Sequence, residues 1–273
     1  MAAFAARAQV RRVQTPGGEQ GPSALPARGE RESRGLGRWP ALRQALLAEA
    51  ARSLAEAQRR AEHPVAFAER GFRVLGFDID LAKVAQLNRG EAYIEHPGSG
   101  RLPALTAGGR FAATADSGRL GEPDALLICV PTPLTRQREP DLSYVLGTLE
   151  QIRPRLRPGQ LILLESTTYP GTTDELVLPI LERSGLKGGK DFFLAFSPER
   201  IDPSNPTYGT HNVPKVIGGL TEACSMLSKE LYGAAIAQVV PVSSPRVAEM
   251  VKLLENTFRS VNIGLVNELA LMS

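Results

Sequence analysis

Apolar and polar positions follow two different rhythms along this chain, with a change near residue 63. Beyond it, short apolar runs alternate with amphipathic stretches. Arg73 to Phe77, within "GFRVLGFDID", predicts a strand ending on the carboxylate of Asp78, and "LAKVAQLNRG" predicts a short helix with a glycine stop. "GRFAATAD" reads as a strand, and "DALLICVPTP" as a continuous apolar strand of the kind buried on both faces. "DLSYVLGTLEQIRPRL" reads as a helix and "GQLILLESTTYPGTT" as a buried strand and turn. "TTDELVLPILERSG" follows as a helix, with Thr172 and Glu175 spaced as a capping box. "DFFLAFSPER", "PKVIGGL", "TEACSMLSKELYG" and "AQVVPVSS" continue as strand, strand, helix and strand. Strands separated by helices predict an α/β fold, a Rossmann-like parallel sheet with helices on both faces. From Ser244 the rhythm changes again. Pro245 suits a first helical turn, and Val247, Val251, Leu254, Phe258, Val261, Leu265 and Leu269 form one apolar stripe. That stripe predicts the start of a long helix, roughly 45 Å over 30 residues, suited to joining domains or forming a dimer seam.

The strand ending at Asp78 reads as the second strand of a dinucleotide-binding unit, its carboxylate available to a ribose hydroxyl. Such a unit needs a first strand and a G-x-G-x-x-G turn about 20 residues upstream. Neither is present. "GLGRW" at Gly35 follows "ARGERESR", which is no strand, so the first strand and glycine loop read as lost. Residues 1–62 differ from the rest in vocabulary as well, having no Lys, Asp, Asn, Ile or Tyr. "TPGGEQGPSALPARGERESRGLG" has too few apolar residues to offset the entropy of ordering it. "PALRQALLAEAARSLAEAQRRAE", Pro40 to Glu62, predicts an isolated helix. The expected organisation is a non-homologous, disordered or loosely helical segment at 1–62, a cofactor-binding domain at 63–243 and the long helix at 244–273. The abrupt change is best explained by a junction or a frame change upstream of about residue 63. "MAAFAARAQVRR" is Arg-rich and acid-free, but it lacks the serines of a transit peptide.

Charge changes the picture little. The chain's net +3 is made in residues 1–62, where 11 Arg face 6 Glu; the remaining 211 residues are left at −2. No basic face with interleaved aromatics appears, so no nucleic-acid partner is expected. No apolar run approaches the roughly 18 residues of a membrane span, so no membrane partner is expected either. Cys129 and Cys224 form neither a disulfide framework nor a metal-ligand spacing, and both read as buried structural thiols suited to a reducing cytoplasm. His63, His96 and His211 are scattered, and no metal site is predicted.

"GFDIDLAKVAQLNRG", "ICVPTPLTRQREPDLSYV", "LLESTTYPGTT", "FSPERIDP" and "VSSPRVAEMVKLLENTFRSVNIGLVNELA" occur in one order. Together they resemble the UDP-glucose/GDP-mannose dehydrogenase family from about Val65 to Ser273, with wording nearest the UDP-N-acetylglucosamine/UDP-N-acetylmannosamine 6-dehydrogenase branch. The resemblance implies an NAD-dependent oxidoreductase that takes a UDP-sugar substrate to its uronic acid in two oxidation steps. It also implies a homodimer built on the long central helix. It places Asp78 at the adenosine ribose, Lys83 near the same end of NAD, and Thr132 and Thr167 beside the nicotinamide. Thr167 and Glu199 would position water and proton transfers, and Lys252 and Asn256 would stabilise the developing oxyanion. Residue chemistry agrees: Lys252 and Asn256 are i,i+4 on one helix face, and a cation and an amide donor suit charge appearing on oxygen.

The family's nucleophilic cysteine, its partnering aspartate and its nucleotide-sugar domain are expected beyond the central helix. Cys129, inside a buried strand, is no substitute. Plainer roles stay open: Asp78 as a strand end, Thr167 as a turn hydroxyl, Glu199 as a partner of Arg200, and Lys252 as a solvated lysine. Two other functions also stay open. One is a non-catalytic interaction protein that keeps the dimer helix; the other is a 6-phosphogluconate or β-hydroxyacid-type dehydrogenase, which does not need "STTYPGTT" and "SPER" in this order.

Overall fold

The computed structural model describes residues 2–7, 62–92, 99–133, 140–199 and 213–272. The helix predicted before Glu62 and the Gly35 fragment lie outside the described residues. Among the described residues, eight strands form one sheet: β1 (Ala2–Arg7), β2 (Arg73–Asp78), β3 (Phe111–Thr114), β4 (Ala125–Ile128), β5 (Leu161–Leu164), β6 (Phe193–Phe196), β7 (Lys215–Gly219) and β8 (Val239–Val242). Their order is β3-β2-β1-β4-β5-β6-β7-β8. Helices α1 (Glu62–Glu69), α2 (Leu81–Asn88), α3 (Leu102–Ala107), α4 (Ser143–Ile152), α5 (Leu178–Glu182), α6 (Glu222–Gly233) and α7 (Pro245–Met272) complete the fold.

The α/β sheet has helices on both faces, as its apolar runs require. Phe67 of α1, Leu87 of α2, Leu102 of α3 and Leu231 of α6 bury one face against Val74, Leu127, Leu161 and Leu163. Leu149 and Ile152 of α4, Leu181 of α5 and Ala248 of α7 bury the other against Leu126, Ile128, Ile162 and Leu164. Successive residues of β4 and β5 thus feed opposite cores, which is why these strands read as unbroken apolar runs.

The sheet departs from all-parallel pairing in two places. β7 runs antiparallel to β6. β1 lies between β2 and β4, antiparallel to both. Residues 2–7 are therefore a strand, a correction to the disordered or loosely helical reading of 1–62. Ala2 pairs with Asp78 and Arg7 with Arg73, so the chain leaves β1 at the edge opposite Asp78.

A second correction concerns the capping box. Thr172–Val177 forms a π-helical turn entered through Gly171 in the left-handed conformation (φ 101°), with no side-chain cap from Thr172. The carboxylate of Glu175 instead meets Arg246 at 2.6 Å. Helix α7 begins hard against β7: a Cβ at Gly218 would lie 2.2 Å from the Ser244 carbonyl oxygen. Ala248 and Glu249 are fully buried, whereas Leu254, Phe258, Val261, Leu265 and Leu269 are exposed.

Candidate active site and cofactor cleft

The carboxyl edge of the sheet gathers the polar motifs. Asp78 ends β2 with its carboxylate accepting from the Asp80 N–H at 2.9 Å, and only 8% of it is exposed. It lines a cleft with Phe77, Ile79, Thr114, Leu120 and Gln151. Asp80 caps α2 by accepting from the N–H groups of Ala82 and Lys83, which puts Lys83 in the first turn beyond Asp78. A carboxylate at this strand end, beside an apolar cleft, has the chemistry to accept from ribose hydroxyls. The pyrophosphate is different. β1 runs antiparallel to β2, so its last residue, Arg7, lies opposite Arg73 and not opposite Asp78, whereas a phosphate-binding turn needs its N–H groups at the carboxyl edge. The Asp78 carboxylate suits a ribose; a phosphate cradle is not found among the described residues.

The next three strands place the catalytic candidates. Thr132, Thr167 and Glu199 each lie just beyond the ends of β4, β5 and β6, which pair in parallel at Ile128, Leu164 and Phe196. These tips are held rigidly. The Ser166 hydroxyl donates to the Val130 carbonyl at 2.7 Å, and the Ser197 hydroxyl to the Val216 carbonyl at 2.7 Å. Thr132 and Thr167 are half-buried and Glu199 is buried. Lys252, in the second turn of α7, donates from Nζ to the main-chain oxygen of Glu199 at 2.5 Å. Asn256 lies one turn further along the helix and is exposed.

Two arrangements escaped sequence reasoning. In the first, Glu249 accepts from the N–H of Gly171 (2.7 Å), the N–H of Thr173 (2.9 Å) and the hydroxyl of Thr173 (2.7 Å). A carboxylate from α7 thus does the capping assigned to Thr172 and Glu175, and ties α7 to the turn after Thr167. Burial pushes the Glu249 carboxyl above its ordinary value, although the three donors favour the ionised form. The available signal was an acidic residue one helical turn before Lys252. In the second, Glu165 forms a buried cluster. Its carboxylate accepts from the Tyr232 hydroxyl and from Cys129 Sγ (3.0 Å), and Lys215 Nζ lies 2.9 Å from it. Lys215 Nζ is also 3.5 Å from a carboxylate oxygen of Glu199 and 5.1 Å from the centre of the Tyr232 ring. Desolvation lowers the Lys215 pKa, but the charges of Glu165 and Glu199 outweigh it and the net direction is up. Burial and Glu165 hold the Tyr232 phenol well above its ordinary pKa. Both cysteines are buried. Cys224 Sγ accepts from the Leu194 N–H at 3.4 Å, a structural position. Among the described residues, no cluster of three or more His, Cys, Asp or Glu is placed to hold a metal ion, and no helix is long and apolar enough to cross a membrane.

Sheet order, cleft and carboxyl-edge residues together define a dinucleotide-binding domain of the dehydrogenase type. The description "UDP-glucose/GDP-mannose dehydrogenase family, NAD binding domain" matches residues 61–236, and the chain belongs to this family. It is 35% identical over 210 residues to the UDP-N-acetyl-D-mannosamine dehydrogenase of Pyrococcus horikoshii, covering 77% of this chain and 50% of that protein. It is 36% identical over 201 residues to the UDP-N-acetyl-D-glucosamine 6-dehydrogenase of Pseudomonas aeruginosa, covering 73% and 47%. The solved structure of the Pyrococcus horikoshii UDP-D-ManNAc dehydrogenase superposes with a TM-score of 0.72 at 36% identity, over 76% of this chain and 50% of that one. A ternary complex of GDP-mannose dehydrogenase from Pseudomonas aeruginosa gives 0.69 at 28% identity, over 75% and 48%. The chain spans about half the length of the curated relatives it matches.

Proposed function

We propose that this chain is the cofactor-binding part of an NAD-dependent nucleotide-sugar 6-dehydrogenase that takes a UDP-N-acetylhexosamine or UDP-glucose to the uronic acid by two-step oxidation. The observation that carries this reading is the contact of Lys252 Nζ with the Glu199 main-chain oxygen. It brings the helix with the "KLLEN" motif to Glu199, just beyond β6, which follows β4 and β5 in the sheet.

NAD, when bound, supplies the hydride acceptor. Asp78 would hold the adenosine ribose hydroxyls, with Lys83 in the adjoining helical turn, and Thr132 and Thr167 would serve the nicotinamide side. Lys252 and Asn256 present a cation and an amide donor where negative charge develops on the substrate oxygen. Thr167 orients water, and Glu199 takes up the proton at its carboxylate. The thiol needed for a covalent second oxidation is neither Cys129 nor Cys224, both of which are buried. The exposed stripe of Leu254, Phe258, Val261, Leu265 and Leu269 supports a homodimer through α7. Two buried thiols agree with a reducing cytoplasm.

A chimaera tests the reading. Residues 72–273 replace the matching part of the Pyrococcus horikoshii enzyme, and NADH is followed with UDP-N-acetylmannosamine, UDP-N-acetylglucosamine or UDP-glucose. The expected result is oxidation of a UDP-N-acetylhexosamine that Lys252→Met and Glu199→Gln abolish. A folded chimaera inactive on all three sugars would overturn it. The non-catalytic interaction reading is favoured by one observation, the antiparallel β1 at the phosphate edge.

A further inference from the structure

Glu199 is gripped from two sides. Its main-chain oxygen receives Lys252 from α7, while its side chain turns inward to Lys215 at the start of β7. β7 runs antiparallel to β6, with Phe196 opposite Gly218, so continuing the register brings Lys215 level with Glu199. Lys215 is 5% exposed, and taking an ammonium out of water is costly unless opposite charge compensates. Here the charge comes from Glu165, 1% exposed, one of whose oxygens takes Lys215 and the Tyr232 hydroxyl and the other Cys129 Sγ. A buried carboxylate with the Tyr232 hydroxyl and Cys129 Sγ as donors is the opposite charge that lies nearest the ammonium, at 2.9 Å.

We infer that Lys215 is a positioning residue for Glu199: clamped by Glu165 and Tyr232, it fixes the Glu199 carboxylate at the carboxyl edge and so the main-chain oxygen on which Lys252 docks. This deepens the proposed function and rests on its placing Glu199 and Lys252 in the dehydrogenase site. The cluster holds two carboxylates and one ammonium, so Lys215 is shared. The groups facing it are Glu165 from the end of β5, Glu199 from the end of β6, Cys129 from the end of β4 and Tyr232 from α6. Sharing sets the sign of two opposite perturbations. Removing Lys215 takes from Glu199 and Glu165 the ammonium that both approach. Neutralising Glu165 removes the like charge and leaves Lys215 wholly to Glu199.

The test is a carboxyl NMR titration of the full chain labelled with carbon-13 at glutamate Cδ, the Glu199 resonance being identified by its absence in Glu199→Gln. Lys215→Met is expected to raise the Glu199 midpoint by about one pH unit or more, since an opposite charge within roughly 4–6 Å lowers a carboxyl by about 1–3 units. Lys215→Arg keeps the charge and is expected to leave the midpoint near that of the unsubstituted chain. The near-isosteric Glu165→Gln is expected to lower it, which keeps the proposal testable if Lys215→Met does not fold. A purely structural lysine would reduce stability without moving the Glu199 titration. A midpoint unmoved in Lys215→Met, or raised in Glu165→Gln, overturns the inference. Neither readout involves NAD or a sugar nucleotide. An inactive chimaera with a coupled titration therefore sinks only the dehydrogenase reading, and an active one with an uncoupled titration sinks only the positioning role.

Discussion

Glu249→Ala isolates the joint between α7 and the turn after Thr167. The carboxylate is fully buried and receives three hydrogen bonds of 2.7–2.9 Å, from the N–H groups of Gly171 and Thr173 and the hydroxyl of Thr173. A hydrogen bond to a charged group contributes about 1.5–3 kcal/mol, and a buried donor left unpaired costs about 1–3 kcal/mol. The three bonds share one acceptor and do not add simply, so a loss of about 3–5 kcal/mol is expected, the scale of a broken buried charge cluster. With a urea slope of roughly 2 kcal/mol per molar, the midpoint followed by far-ultraviolet circular dichroism should fall by about 2 M. Glu249→Gln should lie between the two proteins. Its amide oxygen can serve Thr173, but its NH2 then faces the Gly171 N–H, donor against donor, at a cost of about 1–3 kcal/mol. A loss below about 1 kcal/mol for Glu249→Ala, or a glutamine variant as unstable as alanine, would refute the reasoning.

Three further outcomes are expected. The chain should bind NAD weakly: losing two phosphate hydrogen bonds of about 1.5–3 kcal/mol each weakens affinity by about two to four decades, and calorimetry giving low-micromolar affinity would contradict this. Purified chain incubated with NAD and UDP-N-acetylglucosamine, UDP-N-acetylmannosamine or UDP-glucose should form no uronate; sustained product that survives Cys129→Ser and Cys224→Ser would show that the covalent mechanism is wrong. Stability should fall as pH rises above about 10, because Tyr232 and Lys215 have raised pKa values in the folded state and the unfolded chain releases those protons first. Urea midpoints between about pH 8 and 11.5 should fall less steeply in Tyr232→Phe, and an unchanged slope would count against the buried phenol.

The strands and most helices were legible because each buries its own apolar run. "ALLI" and "LILL" could hardly be anything but central strands. β1 was not legible, since alanine is a poor strand former and "AAFAAR" becomes a strand only because β2 and β4 offer it hydrogen bonds on both sides. The capping box failed for a related reason: Thr172 and Glu175 had the right spacing, but a carboxylate 76 residues away from Thr173 reached the free N–H groups first. The candidate site was legible as a set of motifs and not as contacts. That Lys252 would meet the main-chain oxygen of Glu199 follows only once β7 and α7 are packed together through Gly218. The Glu165 cluster left no local signal, because its members stand 36 and 67 residues from Glu165 in the chain.

Helix α7 has 28 residues, a rod of about 42 Å, and only its first turns rest on the sheet. It is therefore a lever whose fulcrum coincides with the candidate chemistry. A tilt of about 10° about the turns that carry Glu249 and Lys252 swings the remaining 30 Å or so by about 5 Å at the far end. A small rotation at the sheet end would therefore be read out as a much larger displacement near Leu269 than near Phe258.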